Sequence, residues 1–260
     1  MNVNVYQHFR KEEHPFVDFV YGSLEQVDSQ YSPYLTDFLD PRQQFILETI
    51  VRNREEFRFS LFGGYPDAER KRALIYPDYF EVKEEDFEVS LYQVNYPMKF
   101  TELSHGKILG TLIGTGITRE HFGDIITDGK QWQIMMDEKI ASYVELQMDK
   151  IGKVSVRLEK LTALDRLNPT NDWETEVNTF SSLRVDTVIS TLFNISRQRA
   201  KTLIESGKVK INWTETTRPD SLLAIKDMIS VRGFGRIQLV EFLGETKKEK
   251  LRIEVSIIRK

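Results

Sequence analysis

Apolar residues recur along this chain in three different rhythms, and each rhythm predicts different elements. Near the start, Val17, Val20, Tyr21 and Leu24 fall at helical spacing. So do Phe45, Ile46, Thr49 and Ile50, which follow Asp40-Pro41, a pair suited to a helix's first turn. Tyr31-Ser32-Pro33-Tyr34 and Phe62-Gly63-Gly64-Tyr65-Pro66 read as turns, the second surrounded by Phe57, Phe59, Leu61, Phe62 and Tyr65 as packing residues. Residues 1–73 therefore predict a mostly helical domain.

From 74 to 166 the rhythm alternates. Phe87 to Tyr96 predicts a strand closed by Pro97. Glu102 to Ile113 suits a helix with Thr101 as N-cap and Gly114-Thr115-Gly116 past its end. Asp124 to Thr127 and Gln131 to Met136 predict a hairpin around Asp128-Gly129. A helix from Glu138 to Met148 and a strand from Lys153 to Leu158 complete the order β-α-β-β-α-β. That is the split ferredoxin-type arrangement, a four-stranded sheet backed by two helices.

Leu167 to Asp172 reads as a polar linker, and a third domain is expected over 179–260. It opens with two short helices, Arg184 to Phe193 and Arg197 to Ser206, the second capped by Ser196 and stopped by Gly207. Val209 to Trp213, Met228 to Arg232, Ile237 to Phe242 and Leu251 to Ile258 follow as strands. The fold class expected for the chain is α+β.

Composition narrows the setting. A chain of 260 residues holds two or three small domains, and with no cysteine it has neither disulfides nor thiolate metal sites. Met1-Asn2-Val3-Asn4-Val5-Tyr6 carries no signal-peptide pattern, and no apolar run nears the roughly 18 residues that span a bilayer. A cytoplasmic protein without membrane partners is expected. The net charge of −4 looks wrong for a polyanion binder, but its distribution changes that view. Leu183 to Ile237 holds ten basic and five acidic residues, a surplus of five, which leaves −9 for the rest of the chain. Charge segregated in this way marks a local polyanion site.

The basic segment also carries a pattern. Leu183-Arg184-Val185-Asp186, then Ser196-Arg197 with Ala200 and Ile204, then Gly207-Lys208-Val209-Lys210-Ile211-Asn212, closed by Asp227 and Ile229-Ser230-Val231-Arg232-Gly233, resembles the S4-type (alpha-L) RNA-binding module in order and spacing. Physical reasoning points the same way. Ser196-Arg197-Gln198-Arg199 sets two cations around a helix start, where free N–H groups already favour phosphate. Lys201 follows Arg197 by four residues on one helical face, and Lys208 and Lys210 share a side of the next strand. Arg184, Ser196, Arg197, Arg199, Lys201, Lys208, Lys210 and Arg232 are the expected RNA-binding residues. Ser196 serves equally as a cap.

The resemblance extends across the chain. Phe38-Leu39-Asp40-Pro41-Arg42-Gln43, Phe62-Gly63-Gly64-Tyr65 with Ala68-Glu69-Arg70, Gly110 to Glu120, and Phe122-Gly123-Asp124-Ile125 look like the first two domains of the bacterial YlmH family. That resemblance implies binding to ribosomal RNA and tRNA on the large ribosomal subunit. It also implies a part in rescuing stalled translation through C-terminal tailing of the nascent chain, and a link to cell division with enrichment at the division site. A monomer without a cofactor is expected.

Other signals are weaker. The family resemblance implies a middle domain similar to an RNA-recognition motif, but the basic-and-aromatic signature is missing, since Gln131-Trp132-Gln133-Ile134-Met135-Met136 stands in its place; packing or protein contact is the better reading for a sheet that carries Tyr92 and Trp132. Arg119, Glu120 and Asp124 form a polar cluster that suits either a partner or an internal loop network. Gly63-Gly64 and Gly114-Thr115-Gly116 lack the further residues that phosphate-binding loops need. His8, His14, His105 and His121 show no metal-ligand spacing, so no metal site is expected. No residue pattern argues for catalysis. The alternative is an RNA-modifying enzyme, pseudouridine synthase-like or methyltransferase-like, that uses the S4-type module for delivery. Asp165-Arg166-Leu167 reverses the order the first of these needs.

Overall fold

Asp40 starts a helix for reasons visible in its neighbours. Its carboxylate accepts the Arg42 and Gln43 N–H groups, the Gln43 side chain accepts the Asp40 N–H, and Pro41 fills the first turn. In the computed structural model, which describes residues 6–99, 101–169 and 173–259, this helix is α2 (Pro41–Val51), after α1 (His14–Gln30). Both helices stand where the apolar spacing puts them. Val17, Val20 and Leu24 of α1 and Ile46, Leu47 and Ile50 of α2 pack onto Leu39, Ala73 and Ile75.

Those last three residues belong to a sheet that the helical reading did not include. β1 (Tyr34–Leu39), β2 (Phe57–Phe62) and β3 (Lys71–Pro77) pair antiparallel in the order β1-β3-β2. The central strand β3 buries Arg72, Ala73, Leu74 and Ile75 in succession. A strand covered on both faces shows no alternation; its mark is the apolar run Ala73-Leu74-Ile75-Tyr76, which does not by itself separate a buried strand from a buried helix segment.

The expected β-α-β-β-α-β order is present as β4 (Val89–Asn95), α3 (His105–Gly114), β5 (Phe122–Thr127), β6 (Trp132–Asp137), α4 (Glu138–Gln147) and β9 (Arg157–Leu161). Its strands lie β5-β6-β4-β9, all antiparallel. Most boundaries fall within two residues of expectation, and two elements start three or four residues late. α3 begins after Ser104 rather than Thr101. The final strand begins at Arg157, because Gly152, at φ +63°, folds the preceding residues into a small hairpin of β7 (Lys150–Ile151) and β8 (Val154–Ser155). Tyr92, Val94, Phe122, Ile134 and Met136 face the helices, packed against Ile108, Leu112, Ala141 and Val144.

These elements form one compact unit, Met1–Thr170. Its joint is built from the paired glycine motifs. The Asp124 carboxylate accepts the Tyr65 hydroxyl (2.8 Å) and the N–H groups of Glu69 (2.7 Å) and Arg70 (3.1 Å). Arg70, itself buried, donates to the carbonyls of Phe122 and Phe38. A methyl group on Gly63 would stand 2.2 Å from the Arg70 carbonyl oxygen, and one on Gly123 would stand 2.7 Å from the Phe38 ring. Backbone closeness of this degree is what those glycines supply. Arg119 donates to the carbonyls of Phe122 and Gly123, so the Arg119–Asp124 cluster is an internal loop network.

The second unit, Asn171–Lys260, contains β10 (Glu174–Phe180), α5 (Val185–Leu192), α6 (Arg197–Glu205), β11 (Val209–Ile211), β12 (Thr214–Glu215), β13 (Met228–Val231), β14 (Gly235–Glu245) and β15 (Leu251–Arg259). The strands form one antiparallel sheet, β10-β15-β14-β13-β11-β12. Val185, Val188, Ile189, Ala200 and Ile204 of the helices pack on Val209, Ile229, Val231, Ile237, Val255 and Ile257. The strand expected to run to Trp213 stops earlier. Asn212 and Trp213 take φ of 47° and 65° and make the two-residue turn into β12. Of the expected linker, 170–172 lie outside the described residues, while the Leu167 N–H is held by the Gln133 side chain. Among the described residues, no helix is long and apolar enough to cross a membrane.

Candidate RNA interface

The start of α6 is the centre of the basic site. Ser196 Oγ accepts the Arg199 N–H at 3.1 Å, so the serine is a cap. Arg197 and Arg199 are exposed on the first turn, where the remaining N–H groups and the dipole favour an anion. Lys201 is half-buried one turn further along.

Arg184, just before α5, and Arg197, at the start of α6, meet at a residue missing from the expected set. Asp186 sits in the first turn of α5 with its side chain fully buried, against 34% exposure for Arg184 and 53% for Arg197. It accepts Arg184 Nε at 3.1 Å and Nη2 at 3.0 Å, and Arg197 Nε at 3.1 Å and Nη2 at 3.2 Å. Two bidentate pairs on one carboxylate fix both guanidinium planes while their outer edges reach the surface. Asp186 had a legible signal, since it lies two residues from Arg184 in a basic segment. Its depth is a tertiary fact. A second missed residue is Phe234, which tilts against Phe193 and carries the Arg199 guanidinium 5.3 Å above its ring. A cleft lined by Asn178, Phe193, Asn194, Gly233, Phe234 and Arg259 opens beside that pair.

Burial alone would raise the Asp186 carboxyl. The hydrogen bonds and charges of Arg184 and Arg197 outweigh it and hold the group at about 2, against 3.8 ordinarily. A depressed folded-state value contributes stability above the unfolded pKa, which is lost as pH falls from about 4 towards 2. Asp186→Asn is expected to lower the stability of this unit by about 2 kcal/mol at pH 7. Urea titrations of both proteins at pH 7 and pH 2 check this. The difference should shrink at pH 2, and an equal gap at both values contradicts the assignment.

The eight expected residues do not share one surface. Arg184, Ser196, Arg197, Arg199 and Lys201 surround the helix start. Lys210 alternates with the core residues Val209 and Ile211 and pairs with Ser230, so it projects from the opposite sheet face. Lys208 and Arg232 are exposed and adjacent, the Arg232 N–H donating to the Lys208 carbonyl at 2.9 Å.

In the first unit, the sheet face that carries bases in RNA-recognition motifs is covered. Tyr65, Ala68 and Leu167 pack with Ile126, Met135, Val89 and Leu91 on that side. Gln133 donates to the Gln93 side chain and the Asp165 carbonyl across the same face. Tyr92 and Trp132 lie on the other side, within the helix-facing core. The structure also gathers three possible metal-ligand side chains, Asp37, His121 and Asp137, which are distant in sequence. His121 Nδ1 lies 3.6 Å from Asp37 and 3.4 Å from Asp137, while Asp137 also takes Arg72 at 3.1 Å and caps α4.

A helix start dressed with clamped arginines, on a helix pair packed over an antiparallel sheet, defines an RNA-binding protein of the S4 kind. Three family models match consecutive stretches: the YlmH N-terminal domain at residues 12–80, the family described as "Putative RNA-binding domain in YlmH" at 82–165, and the S4 domain at 183–229. The chain is 40% identical over 250 residues, covering 96% of it and 97% of its relative, to the ribosome-associated protein quality control protein P2 of Bacillus subtilis. It also resembles the solved structure of the cell division protein ylmH from Streptococcus pneumoniae, with TM-score 0.55, 36% identity, and coverage of 63% of this chain and 99% of that one. The chain belongs to the YlmH family.

Proposed function

We propose that this protein binds ribosomal RNA and tRNA on the large ribosomal subunit and acts there, without catalysis of its own, in the rescue of stalled translation. The observation that carries this reading is the Asp186 clamp, which presents Arg184 and Arg197 beside a capped helix start. Cations fixed before binding lose little further side-chain freedom on contact, and they suit an RNA backbone read by its shape. Ribosomal placement is supported by the name of the Bacillus relative, which covers almost the whole chain.

Sedimentation with purified large subunits tests the reading. The protein is expected to pellet with them, with affinity falling linearly in log–log form as salt rises. About five phosphate contacts give a slope of roughly −4. A slope near zero, or equal recovery with subunits and with an acidic protein control, rejects phosphate-driven binding.

A further inference from the structure

The division of the basic residues between two faces has a consequence for RNA. Lys210, Ser230, Arg236 and Ile258 form one row of directly paired residues across β11, β13, β14 and β15. The neighbouring rows, with Val209, Val231, Ile229, Ile237 and Ile257, face the helices and are buried. Cross-strand partners share a face, so the Lys210–Arg236 row looks away from α5 and α6. Arg236 there stands between two tryptophans, its guanidinium carbon 5.5 Å from the Trp173 ring and 6.0 Å from the Trp213 ring. Trp213 comes from the tight β11–β12 turn, and Trp173 precedes β10 at the far side of the sheet. Both rings are half-exposed. Glu215 of β12 is the register partner of Lys210, so the row also carries one acid.

We propose that this outer sheet face is a second RNA contact, which stacks an unpaired nucleobase on the Trp173–Arg236–Trp213 cluster and sets Lys210 towards the adjoining phosphate. Indole rings held in place by a cation, on a strand surface that also offers lysine, match the chemistry of single-stranded nucleic acid, in which every base has a π-face and every link a charge. The module then holds two RNA segments at once, a structured one at the helix start and an unpaired one on the back of the sheet. The proposal rests on the RNA-binding reading above but concerns separate residues.

Fluorescence provides the test, because the chain has three tryptophans and Trp132 belongs to the first unit. In full-length W132F protein, a ten-nucleotide oligoadenylate is expected to quench the remaining emission. Trp213→Ala and Trp173→Ala should each weaken its binding by roughly 10-fold, measured by anisotropy of labelled RNA, and the phenylalanine variants should restore most of it. Lys210→Glu should weaken binding and flatten its salt dependence. In an R199E/K201E background the quenching should persist while large-subunit binding is lost, which separates the two contacts. The proposal is overturned if oligoadenylate leaves the emission unchanged, if the alanine variants bind like their parent, or if R199E/K201E alone removes the quenching. If the alanine variants misfold by circular dichroism, the quenching and the Lys210→Glu result decide it.

Discussion

Reversing Arg199 and Lys201 together to glutamate is expected to lower affinity for large-subunit RNA by about a hundred- to a thousandfold while the protein stays folded. On the proposed reading, each reversal removes one phosphate contact and puts an anion in its place. At about 1.4–2 kcal/mol for each site, two such sites account for that range. Arg197 is left out deliberately. Its guanidinium makes two hydrogen bonds to the buried Asp186 carboxylate, so Arg197→Glu would set two carboxylates against each other and test folding rather than binding. Arg199 is exposed, and its ring partner Phe234 remains in place when the charge is changed. Filter binding at fixed salt measures the loss, and circular dichroism verifies the fold. Parental affinity would remove the start of α6 from the interface.

That choice of residues depends on what the sequence could and could not reveal. The cap at Ser196, the stop at Gly207 and the two helices of the second unit follow from local rules that act within four residues. The β-α-β-β-α-β order follows from alternation of period, again a local property. What escaped was set by packing at a distance. β3 is buried on both faces and shows no period, and β10 acquires its role only from pairing with β15, more than seventy residues away. β2 alternates at Phe57, Phe59 and Leu61, but the same residues also suit packing around a turn.

The site divides along the same line. Positive charge at Arg197, Arg199 and Lys201 is legible because a helix face is fixed by spacing. The parity of Lys208 and Lys210 is legible too, yet the side of the sheet they occupy depends on where the helices pack. Asp186 reads in sequence as one acid in a basic segment. Only its burial, with two arginines closing over it, makes it the organiser of the face. The same lesson applies to an enzymatic alternative. Two polar clusters outside the S4-type face, at Asp124 and at Asp137, serve to join β-strands and loops of the first unit.

Asp124→Ala is expected to destabilise that first unit by about 3–5 kcal/mol, a large share of the stability of an ordinary domain. The substitution strands three donors, the Tyr65 hydroxyl and the Glu69 and Arg70 N–H groups, and it takes a counter-charge from the buried Arg70. Burial, and then the charge of Glu69, raise the Asp124 carboxyl above its ordinary value, and the three donors pull it part of the way back. Burial and this same carboxylate push the Tyr65 hydroxyl up, which keeps it a donor. Asp124→Asn should cost about half as much. Its single oxygen can keep the Tyr65 and Glu69 bonds, but its amide then opposes the Arg70 N–H. Hydrogen exchange followed by mass spectrometry reads both variants, with protection lost from β1, β3 and β5 and retained in α5 and β13. Loss greater for alanine than for asparagine is the signature of a carboxylate that holds three donors. Equal exchange in the parent and both variants would make Asp124 a loop residue like any other, and the glycine motifs around it would then have no joint to close.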